Sequence, residues 1–259
     1  NMKKSLIILA AFTFAFTFAS CKKAQVVINS AEDLAGKKIG VQAGTTGESY
    51  CQENISGAKI VSFKSGMDAA LDLKNGAIDA VVLDELPAKE IVARNSKLAI
   101  IRDPYFGENK EEYAIAVKKG NESLLASINA TIANIKSNGE YEELIADFMP
   151  SDGQVKIPEV IMPDSSNVIK LGTNATFPPF EYVDGDIVGF DITMGQKIAS
   201  DMDAKLEVVD MAFDSLIPAL QSGAIDFIAA GMSVTEERKE NVDFSESYFA
   251  SEQVIIIRK

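Results

Sequence analysis

Residues 214–231 read DSLIPALQSGAIDFIAAG, and residues 68–85, DAALDLKNGAIDAVVLDE, follow the same plan. Each stretch is typical of a helix, a glycine that ends the helix, and a short apolar run that forms a buried strand. Both contain the tetrapeptide GAID, and both follow a predicted strand and turn, at 169–177 and at 37–44. The chain is therefore predicted to contain two β-α-β units of similar design.

The alternation of strands and helices favours an α/β fold with mostly parallel sheets covered by helices. In such sheets, ligands bind at the carboxyl ends of the strands. Candidate binding residues occupy these ends in both units, at 42–46, 84, 174–177 and 231–233.

The segment between the two units has two parts. Residues 121–148 carry an apolar stripe that is interrupted at Asn138-Gly139, which predicts a pair of helices packed on the core. Residues 149–167 contain three prolines and several turn-forming residues, which predicts a linker or a surface excursion.

The composition excludes several kinds of function. The 259 residues are 47% hydrophobic, and 38 acidic against 25 basic side chains give a formal charge of −13. This excess of acid argues against a nucleic-acid partner, because phosphate binding requires cations. The chain contains no histidine, so a histidine-based catalytic triad is impossible and most zinc sites are excluded. We expect neither a metal nor a cofactor.

The first 21 residues have the pattern of an export signal. Two lysines precede an apolar stretch at residues 6–19, which is short for a membrane span, and FASC at 18–21 resembles a lipoprotein cleavage site. We therefore expect residues 1–20 to be a lipoprotein signal peptide and Cys21 to be lipidated. The alternative is an ordinary secretory signal with an incidental cysteine. With Cys21 acylated, Cys51 has no disulfide partner.

Five segments carry a resemblance to a known family. They are INSAEDLAGKKIGVQAGTTGESY (28–50), NGEYEELIADF (138–148), GTNATFPPFEY (172–182), IVGFDITMGQKIA (187–199) and AFDSLIPALQSGAIDFIAAGMSVTEERKENVDFSESYF (212–249). Together they make the chain resemble the solute-binding proteins of bacterial ABC importers, in the polar-amino-acid family (family 3). The resemblance implies a type II periplasmic-binding-protein-like fold, in which two lobes close on a ligand about a hinge.

The order of these segments differs from the order in the family. There, the segment like 168–259 comes first and the segment like 29–148 follows. This order indicates a circular permutation, and the alternative is a chain cut from a tandem gene.

The resemblance also implies domain boundaries. Residues 21–28 would be a tether and hinge strand, residues 29–108 the smaller lobe and residues 109–259 the larger lobe, with 149–167 at the permutation junction. One crossing between the lobes is expected around 105–115. The second would be formed by Ala24–Ile28 and Val254–Lys259, lying side by side without a peptide bond.

A free amino acid needs partners for its carboxylate and its ammonium group. Arg238 provides a planar fork for the carboxylate, and it follows Thr235, a candidate helix N-cap. The resemblance assigns the carboxylate to Arg238 and adds the backbone N–H groups of Thr46 and Ser233; the alternative is a surface arginine paired with a glutamate. The resemblance assigns the ammonium group to Asp84, with the Ser233 hydroxyl and the Gly231 carbonyl. Asp84 could instead cap the helix that follows it.

Five further residues are expected to contact the ligand side chain. By the resemblance, Phe177 and Phe213 sandwich that side chain, while ordinary core packing is the alternative. Asn174, Gln42 and Thr45 are uncharged, and no clear acid is identified in this pocket. These positions favour glutamine or another neutral polar amino acid, with arginine or lysine still possible.

The resemblance implies a function in transport. The chain would bind a free polar amino acid and deliver it to an ABC permease, outside the cytoplasm, as a lipid-anchored monomer without enzymatic activity. The alternatives are an amino-acid-sensing lipoprotein of the same fold and a dehydratase-type enzyme.

Overall fold

The computed structural model describes residues 27–259. The strands are β1 (Lys38–Gln42), β2 (Lys59–Phe63), β3 (Ala80–Asp84), β4 (Leu98–Ile101), β5 (Glu111–Tyr113), β6 (Ala116–Lys118), β7 (Val168–Thr173), β8 (Thr176–Phe177), β9 (Glu181–Asp184), β10 (Asp186–Val188), β11 (Lys205–Asp210), β12 (Phe227–Ile228), β13 (Val242–Phe244), β14 (Phe249–Ser251) and β15 (Gln253–Arg258). The helices are α1 (Thr46–Asn54), α2 (Gly66–Asn75), α3 (Glu85–Ala93), α4 (Pro104–Glu108), α5 (Glu122–Asn138), α6 (Glu140–Phe148), α7 (Phe190–Asp201), α8 (Leu216–Ser222) and α9 (Glu236–Asn241). The predicted signal peptide at 1–20 and the predicted lipidation site at Cys21 lie outside the described residues.

The smaller lobe is built on a five-stranded sheet in the order β2-β1-β3-β15-β4. β1 runs parallel to β2 and β3, whereas β15 runs antiparallel to β3 and β4. Helices α1, α2 and α3 contact this sheet. All five residues of β3 are buried, as expected for the apolar run that follows the first GAID.

The larger lobe is built on a second five-stranded sheet, in the order β11-β7-β12-β6-β13. β7 runs parallel to β11 and β12, and β6 runs antiparallel to β12 and β13. Helices α7 and α8 contact this sheet, and α5 packs on α6 and α7. A small antiparallel sheet, β10-β9-β8, lies at one edge of the candidate site described below.

Two glycines end equivalent helices in the two lobes. Gly76 follows α2 with φ 79°, and Gly223 follows α8 with φ 80°. This left-handed conformation strains other residues, so glycine provides the sharp stop between helix and strand. The repeated GAID therefore has the same structural role in both units.

The two lobes are joined by two continuous crossings. β5 leads from the smaller lobe to the larger one, β14 leads back, and the two strands pair with each other as an antiparallel ribbon. The expectation of a second crossing without a peptide bond is therefore wrong. β15 lies between β3 and β4 and pairs with both, so residues 253–258 belong to the smaller lobe. The prediction that they belong to the larger lobe is wrong. Val27 and Ile28, the described part of the expected hinge strand, form no strand.

The helix pair predicted at 121–148 is confirmed as α5 and α6, separated by Gly139 with φ 91°. Residues 150–167, within the predicted linker, form no helix or strand. The two lobes with their helix-covered, partly parallel sheets confirm the predicted α/β fold of the type II periplasmic-binding-protein kind. Within residues 27–259, no helix combines the length and the apolar character that crossing a bilayer requires.

Candidate functional site

A cavity between the two lobes brings together all ten residues that the sequence singled out for ligand binding. In this conformation its own side chains nearly fill it, and the free volume is about 10 Å³, close to what one water molecule needs. Its lining comprises Gln42, Thr45, Thr46, Asp84, Asn174, Phe177, Phe213, Gly231, Ser233 and Arg238, together with Glu181 and Ala230. The smaller lobe contributes the ends of β1 and β3, and the larger lobe contributes residues that follow β7, β11 and β12.

Arg238 reaches the cavity from the first turns of α9. The predicted N-cap is confirmed, since the Thr235 hydroxyl accepts a hydrogen bond from the Arg238 backbone N–H at 3.1 Å. The guanidinium donates to the Ser233 carbonyl at 2.7 Å and, across the cleft, to the Gly44 carbonyl at 2.9 Å. It also lies over the Phe213 ring, 5.4 Å from the centroid. Because these partners are carbonyls and a ring, the alternative of a surface arginine paired with a glutamate is wrong.

Asp84, at the end of β3, lines the same cavity as Arg238 and is 4% exposed. It makes no side-chain cap to α3, so the capping alternative is wrong. Its carboxylate instead accepts hydrogen bonds from the Tyr113 hydroxyl and from Gln253 Nε2, the latter at 2.9 Å. Burial, followed by the negative charge of Glu111, raises the pKa of Asp84 to about 7.

Glu111, on the crossing strand β5, is a polar partner of the site that the sequence reasoning missed. It accepts hydrogen bonds from the Thr46 hydroxyl at 2.7 Å and from the Ser233 hydroxyl. One carboxylate therefore holds a hydroxyl from each lobe. Since both hydroxyl protons point at Glu111, both oxygens have lone pairs available to a donor in the cavity.

The remaining predicted residues fix the shape of the cavity. Gln42 Nε2 donates to Asn174 Oδ1 across the lobes at 2.9 Å. The Thr45 hydroxyl caps α1, accepting from the Glu48 N–H at 3.3 Å, and donates to the Gln42 carbonyl at 2.8 Å. Gly231 has φ 52°, and a Cβ there would lie 2.7 Å from Phe177 Cε1, so only glycine allows this ring position.

Glu181 contradicts the expectation that the pocket contains no clear acid. It lines the cavity, is 0% exposed, and neither carboxylate oxygen has a hydrogen-bond donor among the described residues. The turn after Phe177 folds the chain back, and in the β8-β9 pair Glu181 lies directly opposite Phe177. Recognising FPPFEY as a tight hairpin would have put the acid next to the aromatic ring.

Residues 169–259 match the model of the "Bacterial extracellular solute-binding proteins, family 3". The chain is 44% identical over 90 residues to the arginine-binding extracellular protein ArtP of Bacillus subtilis (strain 168), in an alignment that covers 34% of this chain and 35% of ArtP. It is 32% identical over 126 residues to the L-cystine-binding protein TcyJ of Escherichia coli (strain K12), in an alignment that covers 48% of this chain and 46% of TcyJ.

A solved structure also matches part of the chain. The arginine-bound form of domain 1 of TmArgBP, an ArgBP from T. maritima, is 44% identical over 36% of this chain and 81% of that domain, with a TM-score of 0.32. The matched part of this chain spans less than half the length of either curated relative named above.

Proposed function

Because this chain belongs to the bacterial extracellular solute-binding proteins of family 3, we propose that it binds a free polar amino acid between its lobes and delivers it to an ABC importer permease. The observation that carries the proposal is the presence of Arg238 and Asp84 in one cavity. A zwitterion requires both a cation and an anion there, because charged groups that leave water must be paired.

The carboxylate of the ligand is assigned to the Arg238 guanidinium and to the backbone N–H groups of Thr46 and Ser233. The N-terminus of α1 supports this assignment, since N–H groups of a first helical turn have no partner within the helix. Ligand binding would replace the carbonyl contacts that Arg238 makes with Ser233 and Gly44.

The ammonium group is assigned to Asp84, the Ser233 hydroxyl and the Gly231 carbonyl. The orientation of the Ser233 hydroxyl supports this role. Its proton is directed to Glu111, which leaves the oxygen lone pairs for an N–H donor.

The side chain of the ligand is assigned to the space between Phe177 and Phe213, with Gln42, Thr45 and Asn174 as polar contacts. The neutral amides of Gln42 and Asn174 suit a glutamine-like side chain, whereas the buried acid Glu181 suits a cationic one. Relatives named for arginine, such as ArtP, support the cationic class. We therefore propose arginine first and neutral polar amino acids second.

Capture is proposed to occur by hinge closure about the β5-β14 ribbon. A hydrogen bond between the lobes, that of Gln42 to Asn174, would form as the lobes approach. Small-angle scattering should detect a more compact particle at saturating ligand. A particle of unchanged size would contradict closure.

We also propose that the chain is a circularly permuted member of its family, exported and held at the membrane by a lipid on Cys21, and monomeric. The interleaving of 27–148 and 168–259 in both sheets supports the permutation, and a tandem gene product is the alternative. The intact mass of the protein isolated from its host would separate the two. Loss of fatty-acid labelling in Cys21→Ala would test the anchor.

Isothermal titration calorimetry with each of the twenty amino acids tests the central proposal. We expect saturable 1:1 binding of at least one polar amino acid, unchanged ligand after incubation, and loss of binding in Asp84→Asn. A tight ligand at a hundredfold excess over Kd should also add about 2.7 kcal/mol to the free energy of unfolding. Flat titrations for all twenty would refute the proposal, and chemical conversion of the ligand would favour an enzyme.

A further inference from the structure

Two buried carboxyl groups lie side by side at the wall of the cavity. Glu181 is at the start of β9 and Asp191 is in the first turn of α7, and both side chains are 0% exposed. Asp191 Oδ2 accepts hydrogen bonds from the Gly231 backbone N–H at 2.7 Å and from the Tyr248 hydroxyl at 2.6 Å. Asp191 Oδ1 and both oxygens of Glu181 have no donor among the described residues. The Asp191 backbone N–H donates to the Phe180 carbonyl at 2.9 Å, which puts Asp191 next to Glu181, and the two carboxyl groups are close enough to share a hydrogen.

The surroundings of this pair disfavour two negative charges. Among the described residues, the titratable groups that face it are Tyr248, which packs against α7, and Asp84 at the end of β3, and neither is a cation. Burial raises the pKa of Asp191 to about 6 and that of Glu181 well above its usual value. Two carboxyl groups in contact without a cation retain a proton, because repulsion between two negative charges this close raises the free energy of the fully ionised pair.

The pair is also connected to the proposed ligand. Glu181 lines the cavity opposite Phe177, at the end assigned to the ligand side chain. Asp191 holds the backbone of Gly231, which lines the same cavity. A charge that enters this end of the cavity therefore meets the pair directly.

We propose that Glu181 and Asp191 share one proton, and that a ligand with a cationic side chain expels it to solvent whereas a neutral side chain leaves it in place. The charges balance, since the pair goes from −1 to −2 while the ligand side chain adds +1. A neutral amide or urea group instead binds the protonated pair, by donating to the carbonyl oxygen of Glu181. This inference rests on the proposed function and concerns the charge class of its ligand.

Calorimetry at pH 7 in two buffers of different ionisation enthalpy measures the protons released on binding. The probes are arginine, its neutral analogue citrulline, and glutamine. Any proton that Asp84 releases to solvent when the ligand ammonium group binds is common to all three probes and cancels in the comparison. We expect arginine to release close to one proton more per site than either neutral probe.

Glu181→Gln should abolish this difference and weaken arginine more than citrulline, whereas Glu142→Gln, an exposed acid on α6, should leave both unchanged. Should Glu181→Gln not fold, the wild-type protein still provides a test. The ratio of arginine affinity to citrulline affinity should rise with pH, by up to about tenfold per pH unit, because one extra proton is released.

The remaining outcomes distinguish a failure of the proton coupling from a failure of the proposed function. Equal proton release for arginine and citrulline, a constant affinity ratio across pH, or binding of neutral probes without arginine would overturn the proton coupling but leave amino-acid binding intact. Absence of binding by every amino acid would overturn both.

Discussion

Glu111→Gln tests whether a residue outside the cavity lining sets the polarity of the ammonium site. In the wild-type protein, Glu111 Oε2 accepts a hydrogen bond from both the Thr46 and Ser233 hydroxyls, and Oε1 lies 3.4 Å from Gln253 Nε2. The amide N–H₂ of the variant therefore faces a donor in either orientation. If it faces the hydroxyls, at least one of them turns its proton toward the ligand ammonium group. If it faces Gln253, that amide turns and Asp84 loses its donor. A hydrogen bond to a charged group contributes about 1.5–3 kcal/mol, which corresponds to about a 10- to 150-fold increase in Kd.

The same variant has a second effect, of opposite sign, at lower pH. The charge of Glu111 contributes to the raised pKa of Asp84, so its removal should lower that pKa from about 7. Ammonium binding requires ionised Asp84, and affinity therefore falls as the pH drops through the pKa of Asp84. In Glu111→Gln this fall should begin at a lower pH. The affinity gap should therefore be widest near pH 9 and should narrow as the pH approaches 6.

Calorimetric titrations from pH 6 to pH 9 measure both effects. Glu112→Gln is the matched control, because it removes the same charge from the neighbouring, exposed position. A Glu111→Gln variant with wild-type affinity and an unshifted pH profile would refute the reasoning. An equal loss in Glu112→Gln would show that only the net charge matters.

Two further variants test the ligand contacts. Arg238→Met removes the proposed carboxylate partner and should weaken binding by about 2–5 kcal/mol, or about 30-fold to several thousandfold in Kd. Arg94→Met, at the exposed residue that follows α3, should have no effect in the same titration. Gly231→Ala should lower the melting temperature and abolish binding, because its Cβ would meet the Phe177 ring at 2.7 Å. Gly36 has a similar φ of 69° but open space around it, so Gly36→Ala should show backbone strain alone. Equal losses in the two glycine variants would contradict the steric argument.

The sequence predicted the parts of this molecule that local patterns determine. The GAID repeats, the helix pair around Gly139 and the Thr235 cap depend on residues within one or two turns of each other. The grouping of Arg238 with Asp84 was foreseen by resemblance, since the two lie 154 positions apart along the chain and no local pattern connects them.

The features that the sequence did not predict have physical causes as well. The apolar run QVIIIR could complete a sheet in either lobe, and only tertiary pairing puts β15 between β3 and β4. Glu181 was overlooked because composition rules put acids at the surface. Glu111 stands beside the equally acidic Glu112, and only the strand register decides which of the two turns inward.

The interleaving of the two sheets makes the halves of the chain mutually dependent. Residues before the exposed 149–167 segment provide four strands of the smaller lobe and one of the larger, and residues after it provide the rest. A protease that nicked this segment would thus leave two fragments, each of them embedded in both lobes. Such fragments would remain associated without a covalent link, and they should reassemble when they are expressed separately. This segment is therefore a suitable place to divide the protein into a two-piece amino-acid reporter.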